Sequence, residues 1–550
     1  MRKATAVIAA GAVALSLALA GCSPSSQASS GGDAVLRVWA GSATPINHNF
    51  NPFAVDTAVH ATFGAIYEPL FFFNQLSSDA PVGMIGDSYE FNEDGTVLTV
   101  KIKPDLKWND GEALTADDVV FTFGYGSNKS DKLVSAEASD ETTVVLSYTE
   151  PQFTSASLTL GSTWIIPQHI WESIDDYVAE TNTEPVGSGP YMVKDFSDAA
   201  YTVEANPEFR DGEVAVKEVQ YVGLDSNQSA QDLLTTGKID WVGQFIANPD
   251  SVTASGDIVT MNNQQDPTTI ITCSNADLGC TGPQTDPAVR QAINLVIDRA
   301  SIAEKAFAGL PAESNPAFVL LPRDEQWLGD PANGESPQSP DVTAAQAILE
   351  EAGYTQDAEG FYGKDGTTIE LDLFSPDGWT DYNDTAKLIS ESAADAGIRI
   401  NARTVSDAEY WTPIGNGDFQ MALYGLTQSL VPDPYSNYDQ YFFGKSTAKV
   451  GESPIAGQNY SRYSNAEVDA AIAAAAGTQD EATKKAAYAT IQEHIASDLP
   501  YIPVVLNASQ AFFNVTKFSG WPSESDLYAN PLPYLSVASA VVLANLEPVE

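Results

Sequence analysis

Three cysteines are the residues of this chain best suited to covalent chemistry, and their settings differ. Cys22 closes an almost wholly apolar run, residues 4–20, that follows Arg2 and Lys3 and ends in Leu19-Ala20-Gly21. A basic start, an apolar stretch and small residues are the marks of an export signal, which takes no part in the fold. Cys273 and Cys280 bracket a short polar loop, and outside the cell such a pair is expected to form a disulfide rather than a metal or redox site. Two free thiols are the rival reading. The four histidines, His48, His60, His169 and His494, show no metal-ligand spacing. Phe443-Gly444-Lys445-Ser446-Thr447 ends like a phosphate loop, but Asp439 stands where the first glycine is needed. No Gly-x-Ser-x-Gly nucleophile elbow is present, and in a chain with 74 acidic residues paired carboxylates carry no information about catalysis. The residues predict no enzyme, no metal and no cofactor.

What the chain offers instead is binding chemistry. Asn47, His48, Asn49 and Asn51 cluster beside Phe50 and Phe53, a mixture of amides and aromatic faces. Such a cluster serves a solute site or a loop that satisfies its own backbone. Among 550 residues, 26 Lys and Arg against 74 Asp and Glu leave a net charge of −48, which argues against a nucleic-acid partner.

The elements that must position these groups are organised around residues 266–309. Thr268-Thr269-Ile270-Ile271-Thr272 is a β-branched run suited to a buried strand. Past the cysteine loop, Asp286 and Pro287 stand where a helix N-cap and first-turn proline belong. Val289, Ala292, Ile293, Val296, Ile297 and Ala300 then repeat at helical spacing until Gly309 and Pro311, predicting one helix. A strand feeding a capped helix at mid-chain begins a new α/β core, so the stretch reads as the door between two lobes. Before it, Asp94-Gly95 predicts a hairpin, and Thr115-x-x-Asp118 predicts a capping box that opens a helix. After it, strands over 369–374, 398–405 and 421–425 alternate with helices, which predicts a mostly parallel sheet. A helical pair over 466–499 and a returning strand from Tyr501 complete the pattern. The chain is expected to cross between lobes near 268–275 and again near 501–508.

Several long motifs carry a resemblance. YEPLF, KIKPDLKWNDGEALTADDVVFTF, WIIPQHIW, PVGSGPYMV, LLTTGKIDWV and DPAVRQAINLVIDR are similar, in order and spacing, to those of the family 5 extracellular solute-binding proteins, the oligopeptide and dipeptide receptors of ABC importers. Leu19-Ala20-Gly21-Cys22 likewise resembles the bacterial lipobox, whose cysteine bears lipid; an uncleaved spanning helix is the alternative. The resemblance implies an α/β two-lobe periplasmic-binding-protein clamp with two hinge crossings and an extra subdomain in the first lobe. Residues 1–21 would be the signal and 22–33 a lipidated tether. Lobe I would span 34–267 plus 507–550, with its subdomain over about 68–185, and lobe II would span 268–506. Phe209-Arg210 departs from the family's tyrosine and tryptophan.

The implied function is that of a monomeric receptor, lipid-anchored outside the cell membrane, which hands oligopeptides to an ABC permease. Relatives hold a peptide ammonium with the aspartate of a Gly-Trp-Thr-Gly-Asp motif. Here the matching passage runs from Gly425 through Thr427, Gln428 and Ser429 to Asp433, and Ser429 stands where the carboxylate would be. Asp433 or Asp439 is left to substitute. A desolvated ammonium needs such a partner, so the departure leaves room for an oligosaccharide held on Trp39, Trp411, Tyr424 and Gln428. Asn47, Asn49 and Asn275 add amides to the expected contacts. The ligand is expected between the 39–53 and 411–429 segments. A secreted hydrolase or a surface adhesin is the remote alternative.

Overall fold

Two long strands, one leaving the first lobe and one returning to it, carry the architecture. The computed structural model describes residues 35–549, apart from 43, 55, 56, 78 and 455–457. The signal, Cys22 and the tether therefore lie outside the described residues. In chain order, the first lobe supplies β1 (Val35–Trp39), β2 (Tyr191–Ser197), β3 (Ala200–Ala205), β4 (Glu218–Val222) and β5 (Trp241–Val242). Then follow β6 (Ile258–Thr272), β7 (Glu370–Pro376), β8 (Arg399–Val405), β9 (Met421–Gly425) and β10 (Tyr501–Asn514). These strands form one sheet, ordered β8-β7-β9-β6-β10-β5-β1-β4-β3-β2.

β6 and β10 pair antiparallel from Ile258↔Asn514 to Ile271↔Tyr501, with irregularities between Gln264 and Asp266 and between Thr268 and Thr269. Around these breaks the outer neighbours change. β10 takes β5 at Phe512–Phe513, whereas β6 takes β9 from Thr268 to Thr272. The amino-acid pattern follows the change. The first half of β6 (IVTMNNQQ) is part exposed, and the β-branched second half is buried on both faces. Bulges of this kind bend a strand and sharpen its twist, which lets one sheet serve two lobes. The irregularities fall just ahead of the expected 268–275 crossing.

The predicted mostly parallel second sheet is in fact mixed. β7 runs parallel to β8 and β9, but β9–β6 and β6–β10 are antiparallel. A clamp joined by an outgoing and a returning strand must contain that antiparallel pair. The single helix predicted from Pro287 is also divided, into α1 (Pro287–Val296) and α2 (Arg299–Ala306). Asp286 caps the first through Ala288 N at 3.0 Å, and Asp298 caps the second through Ser301 N at 3.0 Å. Arg299 holds the joint, donating to the carbonyls of Asn294 and Pro337 and, through two nitrogens, to Pro503. Helical periodicity does not reveal such a break, because a second N-cap can start a new helix without disturbing the apolar stripe.

The subdomain is a four-stranded antiparallel sheet, ordered Gly86–Phe91, Val97–Ile102, Thr143–Tyr148 and Leu133–Asp140. The helix Ala116–Gly124 covers it, opened by the expected capping box of Thr115 and Asp118. Arg210, the departure from the family pattern, sits 2.6 Å from the fully buried Glu68 of YEPLF, and Ser188 of PVGSGPY donates to the same carboxylate at 3.1 Å. Burial pushes the Glu68 carboxyl up, and Arg210 opposes that by supplying the counter-charge. Among the described residues no helix is long and apolar enough to cross a membrane.

Candidate functional site

The lobes touch through a few specific contacts. Gln75 of the first lobe donates from Nε2 to the Gln428 carbonyl at 3.0 Å, and Arg323 of the second lobe donates from Nη1 to the Gln75 carbonyl at 2.7 Å. A cavity of about 200 Å³ lies beside them, lined by Phe72, Phe73, Gln75 and Trp164, by Asn530 and Tyr534, and by Leu430 of the second lobe. Two of its lining residues stand against the crossing of β6 and β10: Asn530 bonds Gln265, and Tyr534 neighbours Asp266.

A chain of polar groups runs along this crossing. Asn263 donates to Asn530 Oδ1 at 3.3 Å, Asn530 donates to Gln265 Oε1 at 2.8 Å, and Ser509 donates to Asp266 Oδ2 at 2.8 Å. Burial pushes the Asp266 carboxyl up to about 6, against the pull of hydrogen bonds from Ser509 and Gln265. Among the described residues no Lys, Arg or His pairs with it; its titratable neighbours are the phenols Tyr534, Tyr382 and Tyr441, all pushed up by burial. Tyr534 comes from the first lobe, Tyr382 and Tyr441 from the second.

The groups around the crossing follow from the strand ends. Trp39 ends β1, and its ring meets Tyr534 edge-on at 6.2 Å and His60 at 5.4 Å. Among the described residues the buried Trp39 Nε1 hydrogen has no partner. His60 Nδ1 lies 3.0 Å from the Trp39 carbonyl, and burial lowers its pKa to about 4, so the ring is neutral above that pH. Gly41 makes this approach possible: its φ is +81°, and a Cβ there would come within 2.2 Å of the His60 ring. In the second lobe Gly425 ends β9 opposite Thr268, and Leu426 N then donates to the Pro267 carbonyl at 2.9 Å. Thr427 N donates to Tyr441 Oη at 2.9 Å.

The expected site residues divide. Trp39, Tyr424 and Thr427 line or adjoin the strand ends that face the crossing. Tyr424 donates to Gln458 Oε1 at 3.0 Å, and Trp411, 45% exposed, meets its ring edge-on at 6.1 Å. Gln428 and Ser429 are buried within the second lobe: Gln428 Oε1 accepts from Asn437 at 2.7 Å, and the Ser429 carbonyl accepts from Arg323 at 3.0 Å. Asp433 is already neutralised, with Lys484 Nζ at 2.7 Å and the Tyr488 hydroxyl on its other oxygen. Asp439 lies by the Tyr435 hydroxyl, is pushed up by burial, and feels Lys132 of the subdomain. Asn49 serves the first lobe, its Oδ1 accepting from Asn51 N and Asn182 N, while Asn47 is exposed on the same loop. Asn275 caps a short 3-10 turn through Asp277 N at 3.0 Å, in the loop closed by the Cys273–Cys280 disulfide. Asp266, Ser509, Asn530 and Tyr534 went unnoticed as site residues. A carboxylate abutting a β-branched run was the available signal for Asp266; the others had none.

Comparison with known proteins agrees with this fold. The sequence model of the bacterial extracellular solute-binding proteins, family 5 (middle), matches residues 80–449. The oligopeptide-binding protein AppA of Bacillus subtilis is 27% identical over 441 residues, 76% of each chain. A Thermotoga maritima periplasmic oligopeptide-binding protein, solved with mannohexaose bound, superposes with a TM-score of 0.81 at 25% identity, over 94% of this chain and 98% of that one. AppA from B. subtilis in complex with a nonapeptide shares the fold, with a TM-score of 0.73 at 22% identity, over 94% and 99% of the two chains. With two lobes joined by paired crossings and a family match over most of its length, the chain belongs to the family 5 bacterial extracellular solute-binding proteins.

Proposed function

We propose that this protein is the substrate-binding component of an ABC importer, capturing oligopeptides outside the cell and delivering them to a membrane permease. The observation that carries the reading is the cleft itself. It is lined by amides, hydroxyls and aromatic rings, and its lobes are held together by a handful of reversible hydrogen bonds. Backbone edges at Gly425 and beyond β1 suit an extended peptide, whose main chain supplies affinity while loose pockets accept varied side chains. The relation to AppA of B. subtilis, an oligopeptide-binding protein by name, points the same way. The protein acts as a binder rather than a catalyst, and as a monomer. Lobe I takes residues 34–267 and 507–550, and lobe II takes 268–506.

Calorimetry on refolded, ligand-stripped protein tests this, with mixed oligopeptides in one arm and a panel of oligosaccharides in the other. Saturable heat from peptides is expected; binding of a sugar with none from any peptide would replace the reading. The second reading, an oligosaccharide receptor, is favoured by the exposed Trp411 ring against Tyr424 and by the mannohexaose complex of the Thermotoga relative.

The same proposal places the protein at the membrane through lipid on Cys22. Cys22→Ser is expected to move it from membrane to soluble fractions; full retention would indicate that residues 4–20 span the bilayer.

A further inference from the structure

The second-lobe loop carries Ser429 where relatives carry an ammonium-binding carboxylate, and the acids near that loop already have neighbours of their own. Asp433 pairs with Lys484, Asp324 pairs with Arg323 at 2.8 Å, and Asp439 lies by the Tyr435 hydroxyl with Lys132 and Lys445 near it. Ser429 has no charge to offer. A ligand with a positive end enclosed here would lose several kcal/mol unless the cleft supplied an acid elsewhere.

The crossing supplies one. Register brings Asp266 beside the loop that departs from the family: Thr268 pairs with Gly425, and Pro267 accepts from Leu426 N, so Asp266 lies next along β6 toward the Thr427 end. Among the described residues the carboxylate has hydroxyl and amide partners only, from Ser509 and Gln265, and phenols from both lobes stand near it. An acid held without a counter-ion at a lobe junction is destabilising in the empty protein, and a ligand cation relieves it.

We propose that Asp266 is the ammonium-binding residue of this receptor, the role moved from the second-lobe loop to the crossing strand β6. This inference rests on the peptide reading. A primary ammonium fits better than a guanidinium or a metal ion. It is compact, with three donors; an ionised Asp266 has more lone pairs than its Ser509 and Gln265 bonds use, and neighbouring phenol oxygens accept the remaining hydrogens. Either a peptide amino terminus or a lysine side chain supplies that group.

The test crosses two changes, measured by calorimetry on the full chain. The ligands are pentaalanine, N-acetyl-pentaalanine and an N-acetylated pentapeptide with one lysine; the proteins are wild type and Asp266→Asn. Acetylation is expected to weaken wild-type binding at least tenfold. Asp266→Asn should weaken the free peptide by a similar factor, after which acetylation costs nothing further. If the acetylated lysine peptide regains wild-type affinity only when Asp266 is present, the same site takes the side-chain ammonium. A purely structural role would lower all affinities alike and leave the acetylation ratio unchanged.

A wild-type pH series keeps the inference testable even if Asp266→Asn fails to fold. Affinity for pentaalanine should fall as pH drops through about 6, while that of N-acetyl-pentaalanine holds. Tyr534, Tyr382 and Tyr441 remain neutral through this range. Asp381, beside Tyr382 and also pushed to about 6 by burial, is controlled for with Asp381→Asn, which should leave the difference intact. Peptide binding with the same acetylation cost in both proteins, or with parallel pH curves, overturns the inference while the peptide reading stands. If no peptide binds wild type, both fall together.

Discussion

Arg323, in the second lobe, donates from Nη1 to the backbone oxygen of Gln75, in the first, at 2.7 Å. The same nitrogen donates to the Ser429 carbonyl at 3.0 Å, and Nε and Nη2 of this guanidinium hold the buried Asp324. One side chain thus ties the lobe surfaces together, and its planar fork suits the several acceptors. Lobes joined by two crossings rotate with little internal change, so a bridge like this biases the open–closed equilibrium.

Replacing Arg323 by Met together with Asp324 by Asn removes the bridge without stranding a buried carboxylate. The ligand-free double variant should open, seen as an increased radius of gyration in small-angle X-ray scattering. Ligand dissociation should be faster by roughly tenfold, equivalent to about 1.4 kcal/mol. An unchanged radius and off-rate would mean that the bridge contributes nothing to closure.

Asp266 also predicts a pH-dependent stability. Its folded-state carboxyl sits at about 6 against an ordinary 3.8, so the folded state holds the proton more tightly than the unfolded chain. On this group alone, stability is highest below about 4, declines as pH rises, and has lost its full share above about 6. Asp266→Asn removes that loss. The ligand-free variant should melt higher than wild type at pH 7.5, and the gap should close toward pH 4. Scanning calorimetry across that range checks the sign. A variant that melts lower at pH 7.5 would indicate that the ionised carboxylate supports the fold.

The Asp433–Lys484 pair should behave in the opposite way, as a structural unit. Both groups are largely buried, so Lys484→Met leaves a charge with little beyond the Tyr488 hydroxyl and should destabilise by about 3 kcal/mol. Adding Asp433→Asn should recover most of that loss in chemical denaturation. Asp433→Asn alone should leave the N-acetylation ratio of pentaalanine untouched, which separates this carboxylate from Asp266.

The Cys273–Cys280 disulfide closes the loop that follows β6. Without reductant, alkylation of the unfolded protein should label neither cysteine. Replacing both with serine should cost about 2–3 kcal/mol in the chain-entropy account. Peptide affinity should change less than threefold, because the loop follows the end of β6 and, among the described residues, makes no contact with Asp266. Two labelled thiols in the unreduced protein would contradict the bond.

What the chain declares locally, it declares plainly. Thr115 with Asp118, Asp286 with Pro287, and the β-branched 268–272 run were legible because caps and strand periodicity depend on neighbours a few residues away. The second-lobe carboxylate was also legibly missing, since Ser429 is a matter of residue type. Tertiary structure alone decided what stands in for it. Asp266 and Ser509 meet across 243 positions, and Asn530 and Gln265 across 265, through strand pairing and chain return that no local pattern records. Lys484 likewise reaches Asp433 from 51 positions away and turns a candidate anchor into a filled ion pair. A carboxylate becomes a ligand site when it is desolvated and left without a counter-ion, and both conditions are set by groups that only the folded chain brings near.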